Sequence, residues 1–376
     1  NNTQYTLSGT RFFDVTDKVK SIAIRRGKNR QLDTYDAGLA NVVFINNDRT
    51  FDPEYPDSPY AGQIIPRRAV RISSEGEIIF TGTVDDWNLS YDPSGYSEAS
   101  AACSDGFSLF RNQTLSAGTA TPQLPGARVQ TVLDNPSVNW PTDKRDIETG
   151  TIQLGADVIA ENTNALDYLR SVSNSEFGDL FISKTGDLVF RDRNLVTNPN
   201  FVTFADDGTG IAYQQMQVVY GSELLYNEVS LTNYANVTAT ATDVASIEQY
   251  GVFTLTETGL LTQNSSDLVN LALIQASKFS QPEYRFESVT LILDKYDSAT
   301  QRTLLDLEIG DIVNVKFTPN GIPPAITKFA QIIRIDHDVS PTAHVLSFGF
   351  STVEKNPWTL SDPAFGRLSA GNILTF

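Results

Sequence analysis

Cysteine, histidine and basic charge are all scarce in this chain of 376 residues. A single cysteine, Cys103, excludes an intrachain disulfide framework and leaves no cysteine-based metal site to assemble. It follows Ala101-Ala102 in an apolar run, which suits a small buried hydrophobe better than a nucleophile. The only two histidines are His337 and His344, and no Ser-His-Asp, Cys-His or His-Glu-x-x-His pattern is present. No apolar run approaches the ~18 residues that cross a bilayer, and there is no signal peptide. The expectation is a soluble chain made in the cytoplasm, without membrane insertion. Its start at Asn1 leaves room for a missing methionine or short leader.

Basic charge is the most telling shortage. Lysine and arginine number 28 against 45 acids, a formal net charge of −17. That balance argues against a sequence-independent grip on nucleic acid, whose strength grows with each phosphate neutralised. The deficit is uneven. Residues 1–75 hold 11 basic and 9 acidic groups, or +2, leaving 17 and 36, or −19, for the rest. A neutral-to-basic leading edge on an acidic body suggests a polar assembly surface; uneven solvation is the plainer reading. Apolar residues at 40% and aromatics at 10% make the chain globular, and its length allows two to four domains.

What is present is organised around residues 24–72. A basic strand end (Arg25, Arg26, Lys28, Arg30) leads to a small-residue turn at Ala37-Gly38 and a strand from Leu39 to Ile45. Asn46-Asn47-Asp48 ends that strand with side chains suited to bonding their own backbone. An extended, proline-rich connection runs from Asp52-Pro53 through Ser58-Pro59 to Gly62, and Arg67-Arg68 then opens a strand from Ala69 to Ser73.

This order of elements carries Arg25-Arg26-Gly27, Leu32-Asp33, Ala37-Gly38, Asn46-Asn47-Asp48-Arg49, Phe51-Asp52-Pro53, Ser58-Pro59-Tyr60 and Gly62. It resembles minor tail proteins of long-tailed, siphovirus-type actinobacterial phages, and through them the baseplate or tail-tip hub family. The resemblance continues at Val138-Asn139-Trp140-Pro141, Arg145-Asp146-Ile147, Thr149-Gly150 and Ser246 to Gly251. Leu305 to Asp311 extends it, a leucine-rich approach to Ile-Gly-Asp ahead of a β-rich run.

Along the chain, residues 1–120 read as about six antiparallel strands. Gly82 is expected to mark a bend within the long Glu77–Tyr91 run, and a short helix opens at Asp105-Gly106-Phe107. Residues 121–210 read as a small insert. It holds a helix from Ala127 to Leu133, a second capped by Asn164 and ended by Gly178, and a hairpin turning at Lys184-Thr185-Gly186-Asp187. Residues 211–355 return to β with one covering helix, 265–280, whose expected buried face is Val269, Ala272, Leu273, Ala276 and Phe279. Residues 356–376 read as a C-terminal arm. The expected fold class is mainly β with an α+β insert: two tube-like antiparallel β-barrel or sandwich domains flanking a helix-plus-hairpin domain.

No chemistry-bearing constellation survives strand alternation, which turns adjacent residues to opposite faces. Asp85 and Asp86 therefore cannot share a site, and in Asp336-His337-Asp338 the histidine opposes both acids. Asp206 to Gly210 lacks the spaced ligands of a calcium loop. The chain is expected to be no enzyme and to need no metal or cofactor.

The resemblance implies a structural hub at the virion tail tip, a homotrimeric ring that closes or continues the distal end of the tail tube. Two barrels per copy would give pseudo-sixfold symmetry. Implied partners are the distal tail protein, the tape measure protein and tip, fibre or receptor-binding proteins, with DNA only in transit through the lumen. The alternatives are a distal tail ring protein and a tail-tip protein that binds or degrades cell-wall glycan. The candidate assembly interface is Arg25, Arg26, Lys28, Arg30, Arg67, Arg68 and Arg71. As a structural element it would be solvated or paired with Asp33 and Asp36; as an interface it would meet acidic surface of a neighbour.

Overall fold

The computed structural model describes residues 3–5, 11–193 and 201–353. The expected C-terminal arm, 356–376, lies outside the described residues. The fold is mainly β with an α+β portion, as expected, but among the described residues no barrel closes. One open sheet dominates. Its strands, numbered in chain order, are β1 (Val19–Gly27), β2 (Asp36–Ile45), β3 (Ala69–Ser74), β4 (Glu77–Tyr91), β5 (Ser97–Ser104), β6 (Thr203–Ala205), β7 (Gln215–Gly221), β8 (Glu283–Ile292), β9 (Ile312–Phe317), β10 (Ile326–Ser340) and β11 (Ala343–Thr352). Their spatial order is β7-β8-β11-β10-β1-β2-β5-β4-β3, with β9 also beside β10 and β6 parallel to β9.

The barrels expected from residues 1–120 and 211–355 thus lie in a single sheet, joined where β10 meets β1. The reason is the length of β10, fifteen residues. Its first half pairs with β9, Ile326 to Gln331, and its second half pairs on the same side with β1, Arg334 to Val339. The handover falls at Ile333, beside a register break. There Lys28 donates its backbone N–H to Ile333 O at 2.9 Å. Gly27 makes this approach possible: its φ is +113°, and a Cβ would lie 2.1 Å from Ile333 O.

Three local expectations change. The small-residue turn at Ala37-Gly38 is strand, since β2 already starts at Asp36. The connection after β2 is not extended but a ladder of turns. The backbone N–H groups of Arg49, Asp52, Tyr55, Ser58 and Ala61 each donate to the carbonyl three residues back. Pro53, Pro56 and Pro59 occupy the second position of three consecutive turns, where a fixed φ favours the turn. The ladder seats Phe51 against the Phe44 and Trp87 rings, at centroid distances of 4.3 and 6.0 Å, with Tyr60 at 5.8 Å. Stacking of this kind adds to the burial of apolar area. In β4 the pairing irregularities lie at Ile78/Phe80 and Val84/Asp86, on either side of Gly82. Gly82 instead allows close passage of the neighbouring strand, because a Cβ there would meet Ser104 O at 2.3 Å.

The insert contains α1 (Pro125–Leu133), α2 (Ala165–Glu176) and a three-stranded sheet of Arg145–Ile147, Leu188–Arg191 and Asp179–Ile182. Asn164 caps α2, accepting from Leu166 and Asp167 N–H at 3.0 and 3.2 Å. Phe177, not Gly178, takes the left-handed conformation that ends it. Gly178 serves a tight crossing, 2.3 Å from Arg191 O to a hypothetical Cβ. A buried network locks the insert: Arg128 donates to Asp157 (2.5 Å), Tyr168 (2.7 Å) and two backbone carbonyls.

A third unit interrupts the large sheet between β7 and β8. Glu228–Asn233 pairs antiparallel with Thr238–Thr242 and parallel with Thr254–Leu260, under helix α3 (Ser265–Phe279). The buried stripe of α3 is Leu268, Leu271, Ala272, Gln275, Ala276 and Phe279. Val269 and Leu273, expected inside, are exposed. Both faces of this helix are apolar, so periodicity alone did not set its phase.

Candidate assembly surface

The seven basic residues proposed for one rim separate into three environments. Arg26 shares the core-facing side of β1 with Ile24 and is only 3% exposed. Its guanidinium donates to Glu308 at 2.7 Å and to Ile182 O at 3.0 Å, tying the large sheet to the insert hairpin. Gly38 makes room, since a Cβ there would press on Arg26 Cγ (3.0 Å) and Asp105 Oδ2 (2.7 Å). Lys28 also turns inward, bonding Asp179 at 2.8 Å over the ring of Tyr35 at 4.4 Å. Arg26 and Lys28 are therefore internal struts rather than rim residues.

Arg25 and Arg30 occupy the opposite, exposed side. Arg25 stands across from Asp336 in the β1/β10 register and bonds the Asn29 side chain. Arg30 pairs with Glu223 at 3.0 Å. The acids expected as partners go elsewhere: Asp33 accepts the Arg30 backbone N–H, and Asp36 pairs with Arg170 at 3.1 Å. Arg67, Arg68 and Arg71 lie at β3, the far edge of the sheet, and all are exposed. Arg67 reaches Asp85 at 3.4 Å, Arg68 donates to Gln63 O at 3.1 Å, and Arg71 lies 4.7 Å from the Phe12 ring centroid. Cations on an open edge strand hinder uncontrolled strand addition.

Some strongly perturbed ionisable groups are internal. Asp105 accepts N–H bonds from Gly38 (2.6 Å) and Phe107 (2.9 Å), yet burial pushes its carboxyl up to about 7. Cys103 is buried, and desolvation lifts its thiol to about 12, the state of an unreactive cysteine. His337 and His344 face each other in the core, Nδ1 to Nε2 at 3.0 Å. Desolvation holds both below the usual histidine range, His337 well below it. This pair escaped the sequence reading, although hairpin geometry could have found it. Val339 lies opposite His344 in the β10/β11 register, and His337 shares the face of Val339.

A cleft of about 350 Å³ opens between the insert hairpin and the Glu308–Asp311 turn. Most of its acids have cations or backbone partners: Asp146 and Glu148 hold Arg191, Asp187 holds Lys144, and Glu308 holds Arg26. Asp311 accepts Glu308 N–H at 2.8 Å, and burial raises its carboxyl. Among the described residues no group of three or more His, Cys, Asp or Glu is placed to hold a metal ion. None of the described helices is long and apolar enough to cross a membrane.

No protein-family model matches the chain, and no curated protein sequence matches it. Its fold, however, is shared with tail proteins over nearly full length. The tail protein from Neisseria meningitidis MC58 superposes with a TM-score of 0.62 at 13% identity, covering 91% of this chain and 93% of that one. The 43 kDa tail protein of prophage MuSo2 from Shewanella oneidensis gives 0.59 at 14% identity, covering 92% and 95%. An Escherichia coli component of the type VI secretion system, itself structurally similar to T4 bacteriophage tail proteins gp27 and gp5, gives 0.54 at 9% identity, covering 90% and 74%. The chain shares the fold of these tail proteins.

Proposed function

We propose that this chain is a structural component of a bacteriophage tail tip, a hub whose copies form a homotrimeric ring at the distal end of the tail tube. The observation that carries this reading is the end-to-end match of fold with two tail proteins, one of them from a prophage, nine-tenths of each chain being covered. Residues 1–120 and 211–355 are then the tube-forming parts and 121–210 the insert. The partners are the distal tail protein, the tape measure protein and tip, fibre or receptor-binding proteins, and DNA passes only in transit. The exposed part of the basic rim, Arg25 and Arg30 with Arg67, Arg68 and Arg71, is the surface assigned to neighbours. An acidic-to-neutral lumen follows from the −19 carried after residue 75, since basic lining would hold DNA at every phosphate contact.

The test is a reconstruction of the virion tail with copy counting at the tip. Three copies around the tube axis are expected. Six copies, or none at the tip, would overturn the hub reading, and a strongly positive lumen would overturn the predicted lining.

A further inference from the structure

Three features of the 228–279 unit stand together. Helix α3 has no charged residue between Asp267 and Lys278, and its outward side carries Val269 (45% exposed), Leu273 (54%) and Ile274 (43%). Beside it, Thr238–Thr242 is an edge strand with no described strand pairing along its outer side. Its alternating threonines and alanines include neither charge nor proline, the usual guards of an open edge. Val237 and Val244 flank it, both exposed. Finally, the unit holds five acids, Glu228, Asp243, Glu248, Glu257 and Asp267, and no lysine or arginine before Lys278. An apolar helix face beside an unguarded edge on a monomer marks an interaction site. The surrounding charge selects a partner that is apolar and basic.

That complement exists on the chain itself. At the β3 edge of the large sheet the outer side is open, Ile65 is 46% exposed, and Arg67, Arg68 and Arg71 lie close by in the sequence. We propose that the outward face of α3, with the Thr238–Thr242 edge, receives the Ile65–Ser74 segment of a second copy. The contact joins two different patches, so it is head-to-tail, and such contacts close into rings when the rotation allows. Apolar side chains supply the contact area, while arginine against acidic surface fixes its direction. This inference rests on the ring reading but does not follow from it, because a ring could use other faces.

The experiment is mixed-chain crosslinking, helped by the burial of the only native cysteine, Cys103. Leu273→Cys is placed on one preparation and Ile65→Cys on another. The two are mixed at high concentration in low salt and treated with a short bis-maleimide. A covalent dimer is expected from the mixture and not from either variant alone. In sedimentation, Leu273→Arg and the double change Arg67→Glu with Arg68→Glu should each weaken self-association roughly tenfold or more. Added salt should weaken the wild type in the same direction. Far-ultraviolet circular dichroism of each variant should match the wild type, which separates lost contact from lost fold. No mixed dimer at any concentration, or a dimer from Leu273→Cys alone, overturns the inference. Full three-copy rings from Leu273→Arg overturn it too while leaving the ring reading intact.

Discussion

Two groups of arginines that look alike in the sequence behave oppositely in the structure. Arg26 lies in an interior strand and is consumed by Glu308 and Ile182 O; Arg67 and Arg68 lie by an edge strand and meet solvent, one acid and one carbonyl. Their chemistry is the same. What differs is whether the sheet continues on both sides, and whether the side chain shares a face with core residues such as Ile24. A basic run is therefore not one surface until strand order is known.

The sharpest way to break this contrast is Arg26→Met. It removes the cation from Glu308 and leaves that cleft-wall carboxylate only the Lys184 and Ile309 N–H groups, so a loss of about 3 kcal/mol is expected in urea unfolding. A loss below about 1 kcal/mol would place Arg26 among the exposed arginines after all. Lys28→Met removes a bond to a largely buried carboxylate and should cost about 1.5–3 kcal/mol in the same assay. Its smaller effect would follow from the greater exposure of Lys28, 9% against 3% for Arg26.

A third test sets the interior against pH. In the fold His337 and His344 are held below their ordinary value, with Arg26 and Lys184 disfavouring the cation at His337 and Asp294 favouring it at His344. As pH falls through about 6.5 the unfolded chain takes up protons that the folded chain refuses, so stability falls toward acid. The slope is about 1.4 kcal/mol per pH unit for each histidine still neutral in the fold. Asp105 acts in the opposite sense: raised to about 7, it favours the fold as pH drops through that value. Subtracting a His344→Gln variant from the wild type removes the Asp105 contribution and isolates the histidine part. An unchanged slope would show that His344 takes up its proton alike in the folded and unfolded chain. The smallest effect belongs to the edge: Arg67→Glu with Arg68→Glu should alter stability by no more than about 0.5 kcal/mol.

How much was legible follows the range of the interactions. Alternation correctly turned Arg25 and Arg26 to opposite faces, and the Asn164 cap was readable because its partners lie two and three residues away. The turn ladder was hidden although its prolines recur at every third residue. Proline excludes a helix equally well in an extended chain and in consecutive turns. The union of the two β blocks could not be read, because it depends on β10 changing partner at Ile333, and only Gly27 signals the close approach. Glu308 as the partner of Arg26, 282 positions away, carries no local signal. The outward face of α3 was misphased because a helix apolar on both sides has no unique inner stripe.

The seam between β1 and β10 also bears on how the protein is made. Strand β1 finds β2 within a few residues of synthesis, but its other neighbour emerges about 300 residues later. At ~5–20 residues per second that wait lasts roughly 15–60 s. Throughout it, β1 is a bare edge on the nascent chain. Lys20 and Arg25, both pointing away from the core, give that waiting strand the charge that discourages premature pairing with other ribosome-bound copies. High contact order, rather than marginal stability, then sets the pace at which the finished sheet accumulates.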